Sequence, residues 1–403
     1  MKTTTAHDAH PGPGGADASG EHPLMTPVRG WDRFFFHPID PTSLGLVRIC
    51  TGIIVLYVHF VYSLGLMNYI GPDAWIVNTG LTTAEKNPRP GEDGVTNFLR
   101  NGNAWQAPSW TWDDNKGELV TGQTLWSIYF HVEDPAWLWT IHIAIGIVLF
   151  LFTIGLWTRV MSVLAWIGAM MYIQRVPGML FGMDTMTNLA LFYLMIGGIG
   201  GATGAALSVD RWLKVRAERL RLGPAYVPQP PEPMLFANLA TRLIQINFCL
   251  IYFASGTSKL LGSSWWNGTA PNRFLLNYSF APFDVSAYTS ILKFLAEHRT
   301  LWELAGAGGV IYTLFLEIGF PFLVWNRRMR WVMVSGSILL HTMIALLMGL
   351  VTFSLMMLAL VLAFVPPEAV RQGLQRIGAR IRLLFSPAAR EAAKHQSSLA
   401  LTR

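Results

Sequence analysis

The chain has 403 residues, 52% of them hydrophobic and only 13% charged, with a mean hydropathy of +0.37. Soluble domains carry about 25% charged residues, so this composition excludes an ordinary soluble fold and points to an integral membrane protein. A net charge of +6 could suit nucleic acid, but the basic residues are sorted by side along the chain, and membrane topology accounts for them better.

Residues 1–25 are rich in Gly, Pro, Ala, Thr and His without hydrophobic period, and we expect a disordered tail. They hold no apolar signal-peptide core, so the first span is expected to serve as its own uncleaved signal. Trp31, Phe34, Phe35 and Phe36 suggest an interfacial segment, and Asp40-Pro41-Thr42-Ser43 a helix start with Ser43 at the N-cap. Apolar runs follow near Leu44–Leu66, Trp137–Leu156, Val160–Ile173, Asp184–Ala206, Leu235–Leu261, Leu301–Trp325, Trp331–Gly349 and Leu350–Val365. The first matches the ~20 residues needed to cross the hydrocarbon. The third is short, and Gly349 must turn the chain tightly between the last two. The expected fold is therefore all-α, a polytopic transmembrane helix bundle of about eight spans within residues 26–365.

Between the spans, residues 67–136 form a long loop, expected on the outer side, with turn signals at Gly91-Glu92-Asp93-Gly94 and Asp113-Asp114-Asn115. Residues 208–234 are a basic linker ending in Pro228-Gln229-Pro230-Pro231-Glu232-Pro233, semi-rigid and extended. The basic tail, 366–403, places arginines at helical spacing over Pro366–Leu384, as in a helix lying on the inner surface. With the N-terminus inside, 21 of the 30 Lys and Arg fall on the cytoplasmic side, as the positive-inside rule requires. An odd number of spans would separate the basic 211–221 segment from the basic tail. The expected location is the inner (plasma) membrane, with both termini cytoplasmic.

Lys259 ends an apolar run and is followed by Trp265, Trp266, Asn267 and Gly268. It can snorkel beside an aromatic belt, or it can be enclosed, partly desolvated and usable as a base. His341, His59 and His142 fall at comparable outer depth, and intramembrane histidines commonly face a bundle interior. Together these four groups suggest one outward-facing cavity. Asp184, one turn before Asn188 in Gly182-Met183-Asp184-Thr185-Met186-Thr187-Asn188, suits a helix cap. Glu317 is expected deeper, protonated or paired with Arg48. Gly197, Gly198, Gly200, Gly201 and Gly204 suit close helix packing; no strand precedes them and no Lys-Ser/Thr follows, which excludes a phosphate loop. Cys50 and Cys249 lie in apolar runs and the ten histidines lack close spacing, so neither disulfide framework nor metal site is expected.

Trp31-Asp32-Arg33-Phe34-Phe35-Phe36, Asp40-Pro41-Thr42-Ser43-Leu44 with Arg48, Leu207-Ser208-Val209-Asp210-Arg211, Arg242-Leu243-Ile244-Gln245 and Tyr252-Phe253-Ala254-Ser255-Gly256-Thr257-Ser258-Lys259-Leu260 with Trp266-Asn267-Gly268 together resemble the horizontally transferred transmembrane domain (HTTM) family, related to vitamin K-dependent gamma-glutamyl carboxylase. The resemblance covers most of residues 30–365. It implies a helical bundle with a cavity on the non-cytoplasmic side, in which Lys259 matches the lysine regarded as the base toward a reduced, vitamin K-like quinone and His341 matches a histidine of a late span. Two departures stand out. The histidine that carboxylases carry before Ser-Val-Asp is replaced by Gly204-Ala205-Ala206-Leu207, and no large luminal region is expected.

The resulting expectation is a quinone or lipid pocket with Lys259 and His341 as catalytic groups and His59, His142, Trp265 and Trp266 as cofactor-binding ones, the bilayer and an isoprenoid quinone being the partners. The rival is a non-catalytic subunit of a larger membrane complex. A transporter would call for an inverted repeat and broken helices, and neither is evident.

Overall fold

In the computed structural model of the chain, residues 25–71, 74, 110–113, 118–121, 127–130, 132, 134–175, 180–275 and 286–385 are described. The expectations for residues 1–24 and for the Gly91–Gly94 turn lie outside them. The described chain is mainly helical: α1 Met25–Phe36, α2 Thr42–Ser63, α3 Leu66–Ile70, α4 Pro135–Ile154, α5 Thr158–Arg175, α6 Gly182–Ile199, α7 Val209–Leu222, α8 Leu235–Lys259, α9 Ser263–Trp266, α10 Ala270–Leu275, α11 Ser286–Glu297, α12 Arg299–Leu323, α13 Met329–Met348, α14 Val351–Val361 and α15 Pro367–Phe385. Inside the long loop an antiparallel hairpin was not anticipated: β1 Trp110–Asp113 pairs with β2 Glu118–Thr121.

Every expected apolar run forms a helix, but fewer are long and apolar enough to cross a membrane. Five qualify (α2, α4, α8, α12 and α13), and a sixth if α14 and α15 count as one span bent by 114°. Helices α5 and α6 are 18 residues each, with arginines at both ends of α5 and Asp184 and Asn188 in α6. At 1.5 Å per residue each is roughly 27 Å long, close to the hydrocarbon thickness. The helix is shorter than the fourth apolar run: α6 stops at Ile199, and Gly200–Leu207 form turns and bends.

Two groups of helices, α2 with α4–α6 and α8 with α12–α14, share one continuous core that includes Phe152, Leu194, Phe248, Phe320 and Phe364. The reversals are set by local chemistry. Gly155 ends α4 with φ +75°, and a Cβ there would sit 2.3 Å from an Arg48 nitrogen, so only glycine fits. Gly349 (φ +69°) makes the tight turn expected between α13 and α14.

Several of the motif residues tie the basic end together. Asp210 accepts hydrogen bonds from the backbone N–H groups of Trp157 (2.8 Å) and Thr158 (2.9 Å), capping α5 from across the fold. Ser208 caps α7 by accepting from Arg211 N–H at 2.9 Å. Arg48, wholly buried, donates to the carbonyls of Thr203 (2.7 Å) and Leu207 (2.6 Å). Phe34 is held similarly: its carbonyl accepts from Asn238, and its ring lies 4.3 Å from the Arg242 guanidinium. Ser43 does not cap α2 as expected. It donates to the Val365 carbonyl at 2.8 Å, while Asp40 receives Thr42 N–H and pairs with Arg371. A cap needs an extended residue just before the helix, and Ser43 is already inside it.

Candidate functional site

Tyr252, Ser255 and Lys259 fall at i, i+3 and i+7 on α8, and so on one face. Gly256, on the same stretch, lets α12 approach: a Cβ there would meet Ile318 at 2.7 Å and the Glu317 Cβ at 3.0 Å. Across this close contact Lys259 Nζ donates to Glu317 Oε1 (2.9 Å), Glu317 Oε2 (2.7 Å) and Ser255 Oγ (2.6 Å). An ammonium has three protons, and these three acceptors match them. The side chains are 22% and 9% exposed, so the pair is largely withdrawn from solvent. Glu317, expected to be protonated or paired with Arg48, pairs with Lys259 instead, and Arg48 donates to the Thr203 and Leu207 carbonyls.

The pairing also decides depth. Glu317 stands six residues before the end of α12 at Leu323, roughly 9 Å along the axis. Past Lys259 the chain continues along the first half of α12, with Gly268 against Ala307 and Asn272 against Gly306. Lys259 thus engages the interior of a helix long enough to cross a membrane, and does not snorkel to its end. Trp265 packs its ring 5.4 Å from Nζ, a cation–π distance. Trp266 is 72% exposed and donates its indole N–H to the Leu260 carbonyl.

His341, 3% exposed on α13, reaches the Lys259-bearing face of α8 through Tyr252. Its Nε2 is 2.8 Å from the Tyr252 hydroxyl, which is 2.6 Å from Ser337 Oγ. Either tautomer leaves Nδ1 buried without a partner among the described residues, as a proton without an acceptor or a lone pair without a donor.

His59 and His142 belong to a separate cluster. Their rings stack at 4.0 Å, and His59 Nε2 lies 2.9 Å from the His142 carbonyl. The Tyr129 hydroxyl donates to Tyr172 (2.6 Å), Tyr172 meets His142 Nδ1, and His142 Nε2 lies 2.7 Å from Ser63 Oγ. The expected single cavity is therefore two centres: among the described residues no contact links His59 or His142 to Lys259 or His341. Asp184 does cap, its carboxylate accepting from Phe181 N–H at 2.9 Å, while Asn188 accepts from the Trp166 indole.

Tyr252, Ser255, Glu317, Tyr129, Tyr172 and Ser63 were not anticipated as members of these centres. The helical spacing of Tyr252 and Ser255 from Lys259 was a usable signal, whereas Glu317, Tyr129 and Tyr172 come from distant segments. Among the described residues no group of three or more His, Cys, Asp or Glu is arranged to hold a metal. No family model matches the chain, and no curated protein or solved structure matches it.

Proposed function

We propose that this chain is a multi-pass protein of the inner membrane, related to the HTTM and carboxylase family, with about eight spans and cytoplasmic termini, and that its Lys259 centre receives the polar end of a reduced isoprenoid quinone or similar lipid. One observation carries the reading: Lys259, Glu317, Tyr252 and His341 assemble inside an apolar bundle, where ionisable groups mark functional sites by default, and His341 Nδ1 is left without a partner. A ligand hydroxyl or carbonyl would complete that nitrogen.

In this reading Glu317 holds the proton that Lys259 must shed. Transfer from Nζ to a Glu317 oxygen, over 2.7–2.9 Å, leaves a neutral amine beside a neutral acid, and the amine can then accept a proton from the ligand. Tyr252 and Ser337 orient His341, and the surrounding helices exclude water. A bound hydroquinone would supply the acidic hydroxyl.

A second reading, a non-catalytic subunit of a larger complex, is favoured by the saturation of Lys259 by three protein oxygens and by the missing histidine before Ser208. Lipids extracted from the detergent-purified protein separate the two. The quinone reading expects near-stoichiometric quinone that falls at least tenfold in Lys259→Met and His341→Phe. Equal retention in the variants, or a fixed set of accompanying subunits without quinone, would replace it with the second.

A further inference from the structure

The histidine pair supports an inference independent of the Lys259 centre. A carbonyl oxygen only accepts, so the contact between His59 Nε2 and the His142 carbonyl fixes the proton of His59 on Nε2. Its Nδ1 then carries a lone pair, and no hydrogen bond reaches it among the described residues. The chain beside it has a determined direction. Tyr129 donates to Tyr172, Tyr172 to His142 Nδ1, and His142 Nε2–H to Ser63, whose hydroxyl turns to the His59 carbonyl at 3.3 Å. Every member of the cluster is satisfied except His59 Nδ1, on a side chain more than nine-tenths buried.

A groove of about 690 Å³, open toward the surface, runs between α2 and α4, with His59, Ser63, His142, Tyr57 and Trp139 as its polar lining. The walls include Ile53, Phe60, Ile143, Ile147 and Phe150, all more than half exposed. On two helices apolar enough to cross a membrane, such walls face lipid. Among the described residues lining the groove there is no Lys, Arg, Asp or Glu, so an anionic head group would find no counter-charge. We propose that the groove binds a neutral amphipathic lipid with a hydroxyl head, the hydroxyl donating to His59 Nδ1 and the hydrocarbon lying between α2 and α4.

The test uses the full-length protein in nanodiscs of neutral phosphatidylcholine and two photoactivatable diazirine probes, farnesol and its methyl ether. The ether keeps the chain and loses the donor. Mass spectrometry of peptides is expected to find α2 and α4 labelled about fivefold more by the alcohol than by the ether, the factor one hydrogen bond supplies. His59→Phe should erase this preference, and Ile147→Trp, which fills the groove and leaves every hydrogen bond of the cluster in place, should reduce labelling by both probes. Lys259→Met should leave the preference intact, so failure of the quinone reading would not be mistaken for failure of this one. Equal labelling by the two probes, persistence of the preference in His59→Phe, or displacement of the alcohol by equimolar phosphatidylglycerol would overturn the proposal.

Discussion

The two centres solve the problem of polar groups in an apolar bundle in opposite ways. Around His142 the groups are neutral and satisfy one another in sequence, from Tyr129 through Tyr172 to Ser63. Around Lys259 a full positive charge is matched by a full negative one, and Ser255 takes the remaining proton. The neutral cluster loses one or two hydrogen bonds when a member is removed, each costing on the order of 1 kcal/mol. The charged pair loses more, because Lys259 without Glu317 keeps only Ser255 and limited solvent to offset its charge.

Breaking the charged centre should therefore give the largest effect. Glu317→Leu leaves Lys259 without a counter-charge and is expected to destabilise by about 3–5 kcal/mol, measured by thermal unfolding in detergent. The double variant Lys259→Met/Glu317→Leu should recover most of that loss, and failure to recover would show that the pair is not the source. Next comes Gly256→Val, which forces α8 from α12 at the 2.7 Å approach to Ile318 and should cost about 1–3 kcal/mol by overpacking.

On the neutral side, Tyr172→Phe removes two hydrogen bonds, to Tyr129 and His142, for roughly 1–2 kcal/mol in the same assay. A loss as large as that of Glu317→Leu would mean that the histidine cluster carries charge after all. Trp266→Phe should sharpen the comparison from the other side. The indole is 72% exposed, so its replacement should stay within about 0.5 kcal/mol and leave any bound quinone unchanged, whereas Trp265→Ala removes the ring facing Lys259 and should lower quinone retention.

Much of the helical layout was legible because apolar runs of sufficient length have few alternatives in lipid. The Gly349 turn, the Asp184 cap and the amphipathic helix after Pro366 were readable for the same local reasons. Ser43 was misjudged because Asp40 offers a nearer carboxylate for the first turn. The hairpin at Trp110–Thr121 was invisible, since four-residue strands carry too little periodicity to register.

Lys259, His341, His59 and His142 were all recognisable as unusual in their apolar settings, and that much the chain alone determined. Whether they share a cavity was a question of rotation and depth, which helical runs do not encode. The antiparallel packing of α8 on α12, made close by Gly256, puts Glu317 within reach of Lys259. The contact of α2 with α4 stacks His59 on His142 away from that pair. Composition dictated a membrane bundle because few other folds can hide so much apolar surface. Only tertiary packing sorted its four unusual side chains into one charged centre and one neutral one, since a partner across a helix interface is chosen by which faces meet.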